Sequence, residues 1–137
     1  MARKLADFAG EWTVARRIRA AGQPEAAFTG RAWLRPEGGG LAYREEGELL
    51  IPGARPMRAE RAYAWAEEGG AIAVHFSDGR FFHRFSPDQT AAEAQHWCDP
   101  DDYRVRYDFS VWPAWRAEWR VRGPRKDYTM ISDYRRA

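Results

Sequence analysis

Cysteine is almost absent from this 137-residue chain: Cys98 stands alone, so an internal disulfide framework is excluded. Lysine is nearly as scarce. Lys4 and Lys126 are the only two, and the basic charge is carried by arginine to a formal net charge of +2. The arginines are scattered along the chain and form no block, which argues against the clustered basic footprint of a nucleic-acid-binding surface. No apolar run approaches the roughly 20 residues of a membrane helix. The opening "MARKLADFAGEW" lacks the apolar core, roughly 7 to 15 residues long, of a secretory signal. These absences lead us to expect a cytoplasmic protein with no membrane or nucleic-acid partner. Catalytic signatures are missing too: there is no P-loop, nucleophile elbow or dinucleotide fingerprint. Gly38-Gly39-Gly40 lies between two strand-like segments, not between a strand and a helix.

Aromatic side chains are abundant, at 15% with seven tryptophans, and hydrophobic residues make up 45%. The length suits one domain spanning 1–137 with a core of its own. A helical period of 3.6 is nearly absent, and alternation with period two runs almost throughout. Ten segments read as strands, at 10–20, 26–35, 40–51, 57–67, 71–77, 80–86, 91–98, 102–111, 115–122 and 127–136. Connections such as "AGQP", "PGARP" and "GPRK" are too short for crossovers, so neighbouring strands run antiparallel. A meander of this length hides its edges and buries one face by closing on itself. The expected fold is therefore all-β: a single antiparallel up-and-down β-barrel of about ten strands, with residues 3–8 as a short helical plug at its N-terminus.

Parity assigns the faces. Trp12, Val14, Arg16 and Ile18 share one side of the first strand; Tyr103, Val105, Tyr107 and Phe109 share one side of the eighth, against charged residues opposite. In "VHFSDGRFFHRF", Asp78-Gly79 signals a two-residue type I′ hairpin. That register pairs Ser77 with Arg80 and Val74 with His83. Phe81 and His83 then point inward, whereas His75 and Phe82 point out. Continuing the count places His96 and Cys98 inward, Cys98 as a buried and inert thiol. Trp33, Phe82 and Trp97 fall on the outer face, where they offer the contact of a homodimer.

Gly10-Glu11-Trp12, after a short N-terminal turn and with arginines closing the last strand, resembles the Gly-x-Trp signature of the calycins, the superfamily of lipocalins, fatty-acid-binding proteins and nitrobindin-like barrels. The resemblance implies a barrel whose base is closed by Trp12 beneath Arg135 or Arg136, as a cation–π stack. The connection between the first two strands is too short for the helical lid of fatty-acid-binding proteins. The segments "FSDGRFFH", "HWCDPDDY" and "GPRKDY" are also similar to a family of small bacterial proteins known only as a domain of unknown function.

A barrel needed only for stability would be filled with aliphatic side chains, because unpaired buried charge is costly. Here Arg16, Glu45, Arg61, His83 and His96 carry inward parity. One reading is structural: Glu45 neutralises Arg16 or Arg61, and the histidines bond to tyrosine hydroxyls. The other is a lumen holding a small hydrophobic or amphipathic ligand. Its polar anchors are Arg16, Glu45, Arg61, His83 and His96, and its wall is Tyr63, Trp65, Phe81, Tyr107 and Trp119. Acid–base catalysis by His83 or His96, of isomerase or lyase type, is a further alternative. The nitrobindin likeness adds haem, which needs one axial histidine. The two histidines lack the companion ligands of a zinc site, so no metal is expected.

Overall fold

The computed structural model describes residues 3–137, and its architecture is all-β. A 3-10 turn, Leu5–Phe8, precedes ten strands: β1 Gly10–Ala20, β2 Ala26–Glu37, β3 Gly40–Leu50, β4 Met57–Glu68, β5 Ala71–Phe76, β6 Phe81–Phe85, β7 Ala91–Cys98, β8 Asp101–Asp108, β9 Trp115–Arg122 and β10 Asp127–Arg136. They form one antiparallel sheet in the order β6-β5-β4-β3-β2-β1-β10-β9-β8-β7. Sequential neighbours pair except β6 and β7, and the first and last strands are joined by the β1–β10 ladder, in which Trp12 lies opposite Arg136. The sheet curls into a nearly closed barrel. A seam without ladder hydrogen bonds runs between β6 and β7, and β6, at five residues, is short and bulged, as open edges commonly are.

The alternating pattern sorts the side chains as physics requires. Trp12, Val14 and Arg16 are buried on β1 while Thr13 and Ala15 are exposed; Trp115, Ala117 and Val121 are buried on β9 with Arg116 and Glu118 outside. The strands approach one another tightly where β2 meets β3. Gly30 on β2 and Gly47 on β3 are directly opposed; a Cβ on Gly30 would sit 2.2 Å from Glu46 O and 2.8 Å from Gly47 Cα. Glycine is required there for space, as at many bends in barrel strands. Gly30→Ala is expected to destabilise the barrel by about 1–3 kcal/mol, the cost of overpacking, measured as a lower urea midpoint with an unchanged slope.

The base is sealed by aromatic rings. Phe8, completely buried, meets Trp65, Phe109, Trp112 and Trp115 edge to face at centroid distances of 4.9–5.8 Å, a favoured geometry for aromatic pairs. Trp12 donates its indole N–H to Phe8 O at 2.9 Å. Arg136, and not Arg135, lies over the Trp12 ring at 3.9 Å and donates to the carbonyls of Ala9 and Asp7. Arg135 is exposed, one residue earlier and on the opposite parity.

Three local expectations are corrected. No non-glycine residue among those described has positive φ, so Asp78 cannot complete a type I′ turn. Gly79 alone does, at φ 94°. Phe76 accepts from Gly79 N–H and donates to Arg80 O, which makes a three-residue loop instead of two. The added residue is offset by a bulge: His75 pairs with Phe81 and Val74 with His83, leaving Phe82 without a partner. Phe82 therefore turns inward, 7% exposed, and Phe81 outward, 46% exposed, the reverse of simple alternation. The bulge restores the Val74–His83 register, so His83 is buried as parity requires.

Second, Cys98 is exposed, because β7 ends there at the barrel rim. Third, β8 stops at Asp108, whose carboxylate accepts the Ser110 N–H at 2.9 Å and turns the chain. Of the three aromatics assigned to the outer face, only Trp97 is exposed. Phe82 is inside, and Trp33 is half-buried with its indole bonded to Glu11.

Candidate functional site

The end of the barrel opposite the aromatic base is rimmed by the turns β1–β2, β3–β4, β5–β6, β7–β8 and β9–β10. Inside it lies a vestibule of about 230 Å³, walled by Tyr63, Phe76, Phe82, His96, Tyr103 and Trp119, with Arg61 and Met130 at its side. Phe82 is the centre of the wall. It stacks on Trp119 at 5.0 Å and on Phe76 at 4.5 Å, and meets His96 edge-on at 5.3 Å. The inward bulge of β6 thus creates the wall that simple alternation assigned to Phe81.

Deeper in, the space narrows to a cavity of about 50 Å³ that shares Arg61, Tyr63, Phe82, Trp119 and Met130 with the vestibule. Here the polar residues meet. Arg16 donates from Nη1 and Nη2 to both oxygens of Glu45, at 2.7 and 2.9 Å, and from Nε to Ser132 Oγ at 2.7 Å. Tyr43 donates its hydroxyl proton to Glu45 Oε1. Its contact with Tyr134 at 2.9 Å is then one in which Tyr134 donates, since a phenol has one proton to give. Every one of these side chains is buried. Burial alone would raise the Glu45 carboxyl; the fork of Arg16 and the Tyr43 hydroxyl outweigh it and hold Glu45 below the usual carboxylate range. Arg16 is correspondingly held charged: its pKa is raised even though desolvation by burial, the largest single effect, acts to lower it. The structural reading of Glu45 therefore describes Arg16, whose charge is satisfied within the protein.

Arg61 differs. It lies opposite Glu45 on β4 yet is exposed, touches Met130 Sδ at 4.0 Å, and has no carboxylate partner among the described residues. Lys126, a second cation at this rim, is occupied: it donates to Tyr103 Oη at 2.8 Å and lies 3.1 Å from Asp101.

The two histidines occupy different places. His83, 3% exposed, lines the inner cavity with Nε2 2.8 Å from Tyr107 Oη. Burial, with a smaller contribution from His96, pushes its pKa down to about 3, so the ring is neutral at pH 7 and a poor proton acceptor for catalysis. His96 is half-buried at the vestibule. The inner cavity is too small for a porphyrin, so His83 cannot serve as a haem ligand without rearrangement of the lumen. Among the described residues no cluster of three or more His, Cys, Asp or Glu could hold a metal ion.

Of the ten residues assigned to a ligand site by sequence, nine line the lumen or its mouth, and Phe81 does not. Tyr43, Phe82, Trp115, Met130, Ser132 and Tyr134 line it as well. The parity of Tyr43, Trp115, Ser132 and Tyr134 is readable from alternation; that Ser132 meets Arg16 follows only from their pairing across β1–β10.

Fold and site together define a small antiparallel barrel with a sealed aromatic base, a neutralised polar interior and an open aromatic mouth. Residues 8–136 match the family of unknown function DUF6314, and the chain belongs to that family. No curated protein sequence matches it. Among solved structures, it is similar to an S-type phycobiliprotein lyase from Guillardia theta, with a TM-score of 0.68 at 7% identity over 97% of this chain and 90% of that one. It is also similar to a protein of unknown function of the DUF3598 family from Nostoc punctiforme, with a TM-score of 0.59 at 10% identity over 97% of this chain and 48% of that one. At these identities the likeness is one of fold. No helix in the described residues is long and apolar enough to cross a membrane.

Proposed function

We propose that this protein is a calycin-like cytoplasmic binding protein that takes a small aromatic anion into the barrel mouth. The observation that carries the reading is an open aromatic vestibule whose lining cation, Arg61, has no carboxylate partner among the described residues. Stacked rings at Tyr63, Phe82 and Trp119 offer flat apolar surface to a planar molecule. Arg61, at the edge of this surface, presents a guanidinium fork suited to a carboxylate or phosphate. A phycobiliprotein lyase with the same fold supports a small-molecule role for such barrels without naming this one's ligand. Binding is favoured over acid–base catalysis because the buried imidazole stays neutral and is tied to Tyr107.

The test is an NMR titration with 4-isopropylbenzoate, a flat apolar anion. Resonances of Tyr63, Phe82, His96 and Trp119 are expected to shift, and Arg61→Gln is expected to weaken binding about fivefold or more. Shifts confined to the outer face around Phe81 and Trp97, or no shifts at all, overturn the reading. Native mass spectrometry of protein purified from its own host then identifies any retained molecule.

A further inference from the structure

Among the described residues, two buried side-chain nitrogens have no hydrogen-bond partner: Nδ1 of His83 and Nε1 of Trp115. Both side chains are 3% exposed, and both line the inner cavity of about 50 Å³. An orphaned buried polar group is costly and uncommon in native proteins. Two on one small cavity point to something that enters it.

What enters follows from which atoms carry protons. An indole nitrogen only donates. For His83 the tautomer is set by its neighbour. Tyr107 Oη has one hydrogen-bonding contact among the described residues, His83 Nε2 at 2.8 Å. Were Nε2 to hold the proton and donate to that oxygen, the buried Tyr107 hydroxyl proton would itself have no acceptor. The satisfied arrangement has Tyr107 donating to Nε2, which places the imidazole proton on Nδ1. Two side chains that line the inner cavity therefore carry unsatisfied donors, Trp115 Nε1–H and His83 Nδ1–H.

The matching group is an acceptor, and the charges around the cavity say which kind. Glu45 lines the same space as a carboxylate, and Arg16 is already committed to it. A second anion there would meet Glu45, and the uncommitted cation that also lines the cavity, Arg61, is exposed to solvent and already assigned to the anionic end, so its desolvation would go uncompensated. An uncharged acceptor meets no such obstacle.

We infer that the inner cavity is a terminal subsite for an uncharged carbonyl oxygen, so that the protein selects a planar molecule carrying an anionic group at one end, held by Arg61, and a conjugated carbonyl at the other, held by Trp115 and His83. This rests on the ligand-binding reading above and adds the chemistry and orientation of the ligand. The stacked Phe82 and Trp119 rings, which line both spaces, flank the path between the two ends.

The experiment compares 4-acetylbenzoate with 4-isopropylbenzoate, which have the same carboxylate and nearly the same shape but differ in the carbonyl. The acetyl compound is expected to bind about tenfold more tightly, with a downfield shift of the Trp115 indole proton that the isopropyl compound does not produce. Trp115→Phe is expected to remove the preference, so that the two compounds bind it with equal affinity; Arg61→Gln weakens both equally. In the unmodified protein, imidazole nitrogen spectra should show the His83 proton on Nδ1. Equal affinities, a preference that survives in Trp115→Phe, or an unmoved indole resonance overturns the subsite and leaves a cavity that holds water only. If neither compound binds, the ligand-binding reading fails first and the subsite falls with it.

Discussion

Removing the Glu45 carboxylate is expected to destabilise the barrel by about 3–5 kcal/mol, the cost of stranding a buried charge. In Glu45→Ala, Arg16 would keep its charge inside the lumen with only Ser132 to answer it, and Tyr43 would lose the acceptor for its proton. The expectation depends on breaking the pair, not on the pair being worth that much. Replacing both partners, as Arg16→Met with Glu45→Leu, should therefore recover most of the loss, because a well-packed apolar pair often matches a buried ion pair in stability. Urea unfolding of the two single variants and the double variant measures this directly. A double variant as unstable as the sum of the singles would show that the network holds the strands through something besides its charges. The arrangement also sets an acid limit. Glu45 has a folded-state pKa below its unfolded one, so its stabilisation is complete above the ordinary carboxylate range and is lost as pH falls through the depressed folded value.

His83 acts over a different and higher window. Its folded pKa, about 3, lies below the unfolded value near 6.5. The unfolded chain thus takes up a proton that the folded chain refuses, and stability falls as pH drops from about 6.5 towards 3. One unit of pKa difference corresponds to about 1.4 kcal/mol, so this group alone is expected to cost about 2 kcal/mol by pH 5 and on the order of 4 kcal/mol near pH 3. Denaturation midpoints taken between about pH 7 and pH 5.5 isolate the onset of the effect, because Glu45 is ionised there in the folded and the unfolded chain alike. His83→Phe should flatten that part of the profile. The slope is the readout, because the variant also strands the Tyr107 hydroxyl and lowers stability at every pH. An unchanged slope would mean that His83 is protonated in the fold and the lumen is wetter than its burial implies.

Most strand positions were legible because a half-buried strand leaves a period of two in its own residues, and the turns between strands carry glycine, proline and acidic residues. β1, β7, β9 and β10 coincide with their expected limits for this reason. The failures have a common cause. At "SDGRFF" the outcome depended on a turn one residue longer than the Asp-Gly signal implies, followed by a bulge that absorbs the difference. Neither leaves a mark in local hydrophobicity, since Phe81 and Phe82 are identical to any such count. Cys98 kept its parity but not its burial, because parity says which face a residue takes and not how far it stands from the rim.

The sequence by itself determined the class of fold, the inward face of nearly every strand and the presence of an arginine, a glutamate and a histidine in the lumen, because each follows from residues near one another in the chain. Only the tertiary structure decided that Arg16 and not Arg61 pairs with Glu45, that Arg136 and not Arg135 covers Trp12, and that Tyr107 binds His83. These contacts join residues 24 to 124 positions apart across a curled sheet, and their distances are set by its curvature and stagger, which no local pattern encodes.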